Sequence, residues 1–152
     1  MKKTIQAKMT LLSPTGKTIV PVKLNYIDDE YDRKPMSEIQ LIYHGVCYQG
    51  KGTDWFWSDA FADLQKNLPQ GVRLACCMTC RHGNMCPYGN EVNQMFCTKE
   101  FVISNKMDMC KLFDTTDAYG RGVSVFNYCA DFVEQSEDAY TYKDYLYYLK
   151  KD

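Results

Sequence analysis

Hydrophobic and polar positions alternate strictly in two stretches near the N-terminus. Ile5, Ala7, Met9 and Leu11 recur at period two, and Thr18, Val20, Val22, Leu24 and Tyr26 do the same over 17–26. This is the pattern of half-buried β-strands. Ser13-Pro14-Thr15-Gly16 lies between them. Pro presets φ and Gly accepts a positive φ, so the pattern predicts a β-hairpin. Residues 38–49 alternate again through Ile39, Leu41 and Tyr43, then Val46 and Tyr48, with the phase slipping at Gly45. That predicts the third strand of a meander, carrying a bulge. The period then changes. In DWFWSDAFADLQKNL, residues 54–68, Trp57, Phe61, Leu64 and Leu68 recur at i, i+4, i+7 and i+11. This is one apolar stripe of a helix, with Asp54 or Ser58 as its cap and Pro69 and Gly71 as its stop. Its aromatic residues are read as packing on the sheet rather than as a binding box.

The remaining pattern is less regular. The segment 27–37 holds Asp28, Asp29, Glu30 and Asp32 but lacks the glycine and closing glutamate of a calcium loop, so it reads as a polar loop. Val72 to Cys77 alternates and predicts a strand leading into a cysteine cluster. Short elements follow: a strand at 101–103, a helix at 106–113 and a strand within 123–132. A last helix puts Tyr142, Tyr145, Leu146 and Leu149 on one face, with Thr141 and Asp144 as a capping-box variant.

Composition narrows the class. At 152 residues and 45% hydrophobic content the chain reads as one globular domain, 1–152. A net charge of −1 gives no broad electrostatic attraction to nucleic acid or anionic membrane. The N-terminal MKKTIQAKMTLL lacks the apolar core of a signal peptide, and no run reaches the length of a spanning helix. A cytoplasmic protein is therefore expected. A reducing cytosol turns cysteines toward metal binding or catalysis rather than disulfides.

Five of the eight cysteines fall in CCMTCRHGNMCPYGNEVNQMFC, residues 76–97. The spacing is Cys77-x2-Cys80-x5-Cys86-x10-Cys97, with Cys76 beside the first. A C-x-x-C turn lets two sulfurs reach one ion, Gly83 lets the chain fold back so that N–H groups face them, and four thiolates satisfy tetrahedral zinc. Residues 78–96 hold few aliphatic side chains, so a staple is expected there. The favoured reading is a structural zinc site of Cys77, Cys80, Cys86 and Cys97. An iron–sulfur cluster and thiol redox chemistry at Cys77 and Cys80 are the alternatives. A nucleophilic cysteine with His82 or His44 as base is disfavoured for want of a signature, and cysteines with no metal remain the plain reading. Cys76, His82, Cys110 or Cys129 could replace one of the four ligands. Cys47, Cys110 and Cys129 stand beside apolar residues and are read first as core. Arg73, Arg81, Lys99 and Lys106 around the cluster are sparse and offset by Glu91 and Glu100, so nucleic acid is not favoured.

The run DAFADLQKNLPQGVRLACCMTCRHGNMCPYGN, the FC at 96 and 97 and the ending ADFVEQSEDAYTYKDYL resemble a bacterial protein family of unknown function with a helix, L-P, strand, C-x-x-C, P-Y-G, F-C pattern. The resemblance covers roughly the second two thirds of the chain and implies no activity. The whole sequence reads as an α+β fold: an antiparallel β-meander packed on one main helix, with an inserted, zinc-knuckle-like cysteine-rich loop. No acid–base pair, phosphate loop or triad signature is present, so an interaction module with an unknown protein partner is expected rather than an enzyme.

Overall fold

The computed structural model describes residues 2–27, 36–53, 57–91 and 93–151. The acidic loop at 28–32 and the Asp54 cap expected from the sequence lie outside them. Strands β1 (Lys2–Ser13) and β2 (Gly16–Ile27) form the expected hairpin, paired from Lys2↔Ile27 to Ser13↔Gly16 around the two-residue turn Pro14-Thr15. The third alternating stretch is two strands rather than one bulged strand. β3 (Ser37–Tyr43) turns into β4 (Val46–Gly52) at His44-Gly45. Both turn residues have positive φ, 49° and 78°, as in the hairpin turn whose twist matches the flanking strands. The slip in phase at Gly45 was therefore the sign of a reversal. The same reversal explains Cys47, which lies opposite Ile42 on the outer face and is exposed instead of core.

Helix α1 (Ser58–Asn67) follows, starting at Trp57 with no side-chain cap. Trp57, Phe61, Leu64 and Leu68 are all buried against Leu24, Ile39 and Leu41 of the sheet. β5 (Arg73–Ala75) then pairs with Thr10–Leu12 of β1. The sheet order is β4-β3-β2-β1-β5, antiparallel throughout.

α1 touches both edges of this sheet. On one side Thr53 N–H donates to Asp59 (2.6 Å), Lys51 N–H donates to Asp63 (2.8 Å), and Asn67 donates to the Gln49 carbonyl (2.7 Å). Side chains four apart on a helix are about 6 Å apart along its axis. Backbone groups two apart on a strand are spaced by about 6.6 Å. An antiparallel helix and strand therefore stay in step over two turns. Gly50 permits the approach, since a Cβ there would lie 2.3 Å from the Ala60 carbonyl oxygen. On the other side, Gln65 donates to the Val72 carbonyl (2.9 Å) and accepts from Leu74 N–H (2.8 Å) beside β5. Five strands span about 19 Å and a helix about 10 Å, so one helix reaches both edges only because the sheet curls around it.

The rest of the chain is short elements: β6 (Gly83–Asn84), β7 (Met95–Cys97), α2 (Lys106–Thr115), β8 (Gly122–Val123) and α3 (Tyr145–Lys150). β6, β7 and β8 make a small second sheet. A second apolar cluster joins Cys86, Phe96, Met109, Leu112, Phe113 and Ala118. Residues 101–103 are not a strand. The strand expected within 123–132 stops at Val123, because Asn93 Oδ1 accepts Ser124 Oγ (2.8 Å) and Val125 N–H (3.3 Å), and Asn127 N–H turns back to the Ser124 carbonyl. Cys129, within that stretch, is exposed. Among the described residues no helix is long and apolar enough to cross a membrane.

Candidate functional site

β5 delivers the chain into a tight turn. Thr79 N–H donates to the Cys76 carbonyl (3.1 Å) and Cys80 N–H to the Cys77 carbonyl (3.4 Å). The buried Thr79 hydroxyl donates to the Leu74 carbonyl (2.9 Å) and accepts from Cys76 N–H (3.3 Å). Cys77 and Cys80 thus stand at the two ends of one β-turn, as their spacing implies. His82 N–H donates to Cys80 Sγ at 3.4 Å, so a backbone donor does face a sulfur after the turn. Asn127 Nδ2 approaches Cys77 Sγ at 3.8 Å.

Three later segments enclose this turn. Asn127 and Val125 carbonyls accept from Cys77 and Met78 N–H (2.8 and 3.3 Å), the Val133 carbonyl accepts from Arg81 N–H (2.8 Å), and Gln135 N–H donates to the Thr79 carbonyl (2.9 Å). The third segment brings Lys143, only 8% exposed. Its ammonium donates to the Cys77 carbonyl at 3.1 Å and also to the Cys80 carbonyl. One cation thereby holds both ends of the turn. Nothing in the sequence singles out Lys143, because lysine in an amphipathic tail ordinarily faces water.

The electrostatics follow from burial. Desolvation lowers Lys143 to about 8, although the neighbouring Cys80, Cys76 and Cys77 pull it the other way. Desolvation raises Cys76 to about 11 and Cys77 to about 12, against smaller opposing hydrogen bonds from Thr79 and Asn127. At neutral pH both thiols are protonated, which suits neither a nucleophile nor a low-pKa redox thiol.

The four cysteines singled out by spacing do not converge. Cys77 and Cys80 share the turn. Cys86 is buried in the second apolar cluster, its Sγ 3.7 Å from Tyr119 Oη, in a turn where Gly89 N–H donates to the Cys86 carbonyl. Cys97 is half-buried on β7 opposite Gly83. Among the described residues, no three His, Cys, Asp or Glu side chains form a group able to hold a metal ion. In this arrangement the donor set does not fit a four-thiolate zinc. All eight cysteines are free thiols. His82 lines a shallow surface depression with Lys99, Asp131 and Phe132, and burial followed by Arg81 lowers its pKa.

Apolar packing and a buried amide also order this stretch. Met78, Met85, Met95 and Phe96 are buried where aliphatic residues are scarce. Asn84, also buried, donates to Thr98 Oγ1 (2.8 Å) and accepts from Tyr142 N–H (2.6 Å). No protein-family model matches the chain, and no curated protein matches it.

Proposed function

We propose that the protein is a non-catalytic protein-interaction module of the cytoplasm, with residues 76–97 as a structural cysteine-rich insertion. The observation that supports this is the Lys143 ammonium on the carbonyls of Cys77 and Cys80. A cation spent on main-chain oxygens inside the fold orders a turn, and it offers no reacting group to solvent. The buried, neutral thiols beside it fit the same role.

Thiol reactivity tests it. Cys76 and Cys77 should alkylate with iodoacetamide at pH 7 far more slowly than exposed Cys47 and Cys129. Rapid alkylation of Cys77 or Cys80 near neutral pH would favour the thiol redox alternative and overturn this reading. Structural zinc remains a second proposal, favoured by the N–H of His82 on Cys80 Sγ, a backbone donor facing a sulfur of the C-x-x-C turn. It requires Cys86 and Cys97 to leave the surroundings described above. About one zinc per chain by elemental analysis, lost in Cys80→Ser, would establish it. Iron with visible absorption after anaerobic purification would instead indicate an iron–sulfur cluster.

A further inference from the structure

Along β1 the sheet has a stretch of edge that no described strand covers. β5 pairs only with Thr10, Leu11 and Leu12 of β1, and among the described residues no strand pairs with the outer side of β1 from Lys2 to Lys8. Backbone direction along β1 follows from the ladder. Ile27 N–H donates to the Met36 carbonyl, toward β3, so in the Lys2↔Ile27 pair the main-chain groups point apart. By alternation the N–H and C=O of Thr4, Gln6 and Lys8 also point away from β2, and all three residues are exposed. These are the groups to which another strand adds.

The surroundings select that strand. Residues 1–27 contain five lysines and no carboxylate, in a chain whose net charge is −1. Lys2 and Lys8 lie on the outer face with Thr4 and Gln6. Ile5 and Ala7 lie on the inner face, half-buried against the core. A second copy of β1 fits poorly: antiparallel pairing centred on Ile5 sets Lys2 opposite Lys8 in both directions, and like charges directly opposite are destabilising. We propose that the open edge of β1 binds an extended acidic segment of a partner protein as an added strand, with carboxylates toward Lys2 and Lys8 and apolar side chains covering Ile5 and Ala7.

This inference rests on the interaction-module reading, and the two fail separately, since that reading falls on thiol reactivity and this one on edge amides. The probe is a capped decapeptide of alternating Glu and Val, titrated into the isotopically labelled full-length protein and followed by amide hydrogen exchange. At saturation, exchange at Thr4, Gln6 and Lys8 should slow at least tenfold, with Ile5 and Ala7, already bonded to β2, little changed. Gln6→Pro removes an outward N–H that the hairpin does not use and should abolish the protection. Lys8→Glu leaves every backbone group in place and should weaken binding at least tenfold. Absence of protection at these amides, protection elsewhere only, or equal binding of a Lys/Val peptide overturns the proposal. So does protection of the same amides by dimerisation in the absence of peptide, which would make a second copy the occupant.

Discussion

The described residues of 2–75 and those of 76–151 are ordered by different means. In the first region the main chain bonds to itself over long ladders, and α1 bonds to the main chain along β4 and beside β5 with Asp59, Asp63, Asn67 and Gln65. In the second, the described ladders are two residue pairs long. Side chains reach across to the main chain instead: Thr79, Asn84, Asn93 and Lys143 each hold a backbone group from another segment or another turn. A ladder distributes its stability over many equivalent bonds. A cross-linked loop concentrates it in a few side chains, so single substitutions there should act on a whole segment.

The largest expected effect tests whether the regions are separate at all. Phe61 on α1 is fully buried and packs on Phe126, with ring centroids 5.6 Å apart. Phe61→Ala should cost about 3–5 kcal/mol and lower the urea midpoint of both regions together. Continued hydrogen-exchange protection of 76–151 while 2–75 opens would make them independent units. Next comes Gly50→Ala, whose Cβ would meet the Ala60 oxygen at 2.3 Å and the Leu64 nitrogen at 2.4 Å. It should cost about 1–3 kcal/mol, with faster exchange confined to α1 and β4. In the second region Thr79→Val leaves the buried Cys76 N–H without its side-chain acceptor. A cost of about 1–3 kcal/mol is expected, read as faster exchange across 76–83 while the β1–β2 ladder is unchanged.

The smallest effect is a pH dependence arising in the second region. Burial lowers Lys143 from 10.5 to about 8. From pH 8 upward the unfolded chain keeps a proton that the folded chain releases, so stability rises with pH. Cys76 and Cys77 are raised from 9.0 to about 11 and about 12. Above pH 9 the folded chain keeps two protons that the unfolded chain loses, and stability falls. These groups together place a maximum near pH 9, with a rise of up to about 1.4 kcal/mol from pH 8. Urea midpoints measured from pH 7.5 to 10.5 should trace it, and Lys143→Met should flatten the rising limb. A flat profile in the unsubstituted protein would remove Lys143 from the interior.

Legibility follows the same division. The hairpin, the α1 stripe and the strand at 73–75 were readable because a ladder or a helix imposes a fixed period on burial. The turn at His44-Gly45 was visible as a phase slip, though a slip alone does not separate a bulge from a reversal. The cysteine spacing located a real β-turn between Cys77 and Cys80, and it could not say whether Cys86 and Cys97 return to it. Lys143 carried no signal, because its role depends on a turn more than sixty residues earlier. The strand expected after Val123 was lost to Asn93, a side chain thirty-one residues upstream of Ser124.

By itself, then, the sequence determined the alternating strands, the main helix, the turn that carries Cys77 and Cys80, and a basic hairpin in a nearly neutral chain. These depend on near neighbours and on period. The tertiary structure decided the curl of the sheet around α1, the burial of Lys143 over the cysteine turn, the separation of Cys86 from Cys77, and the edge of β1 that no described strand pairs. Each of those depends on which distant segment comes to lie alongside, and chain closure at that range leaves no periodic trace in the residues it joins.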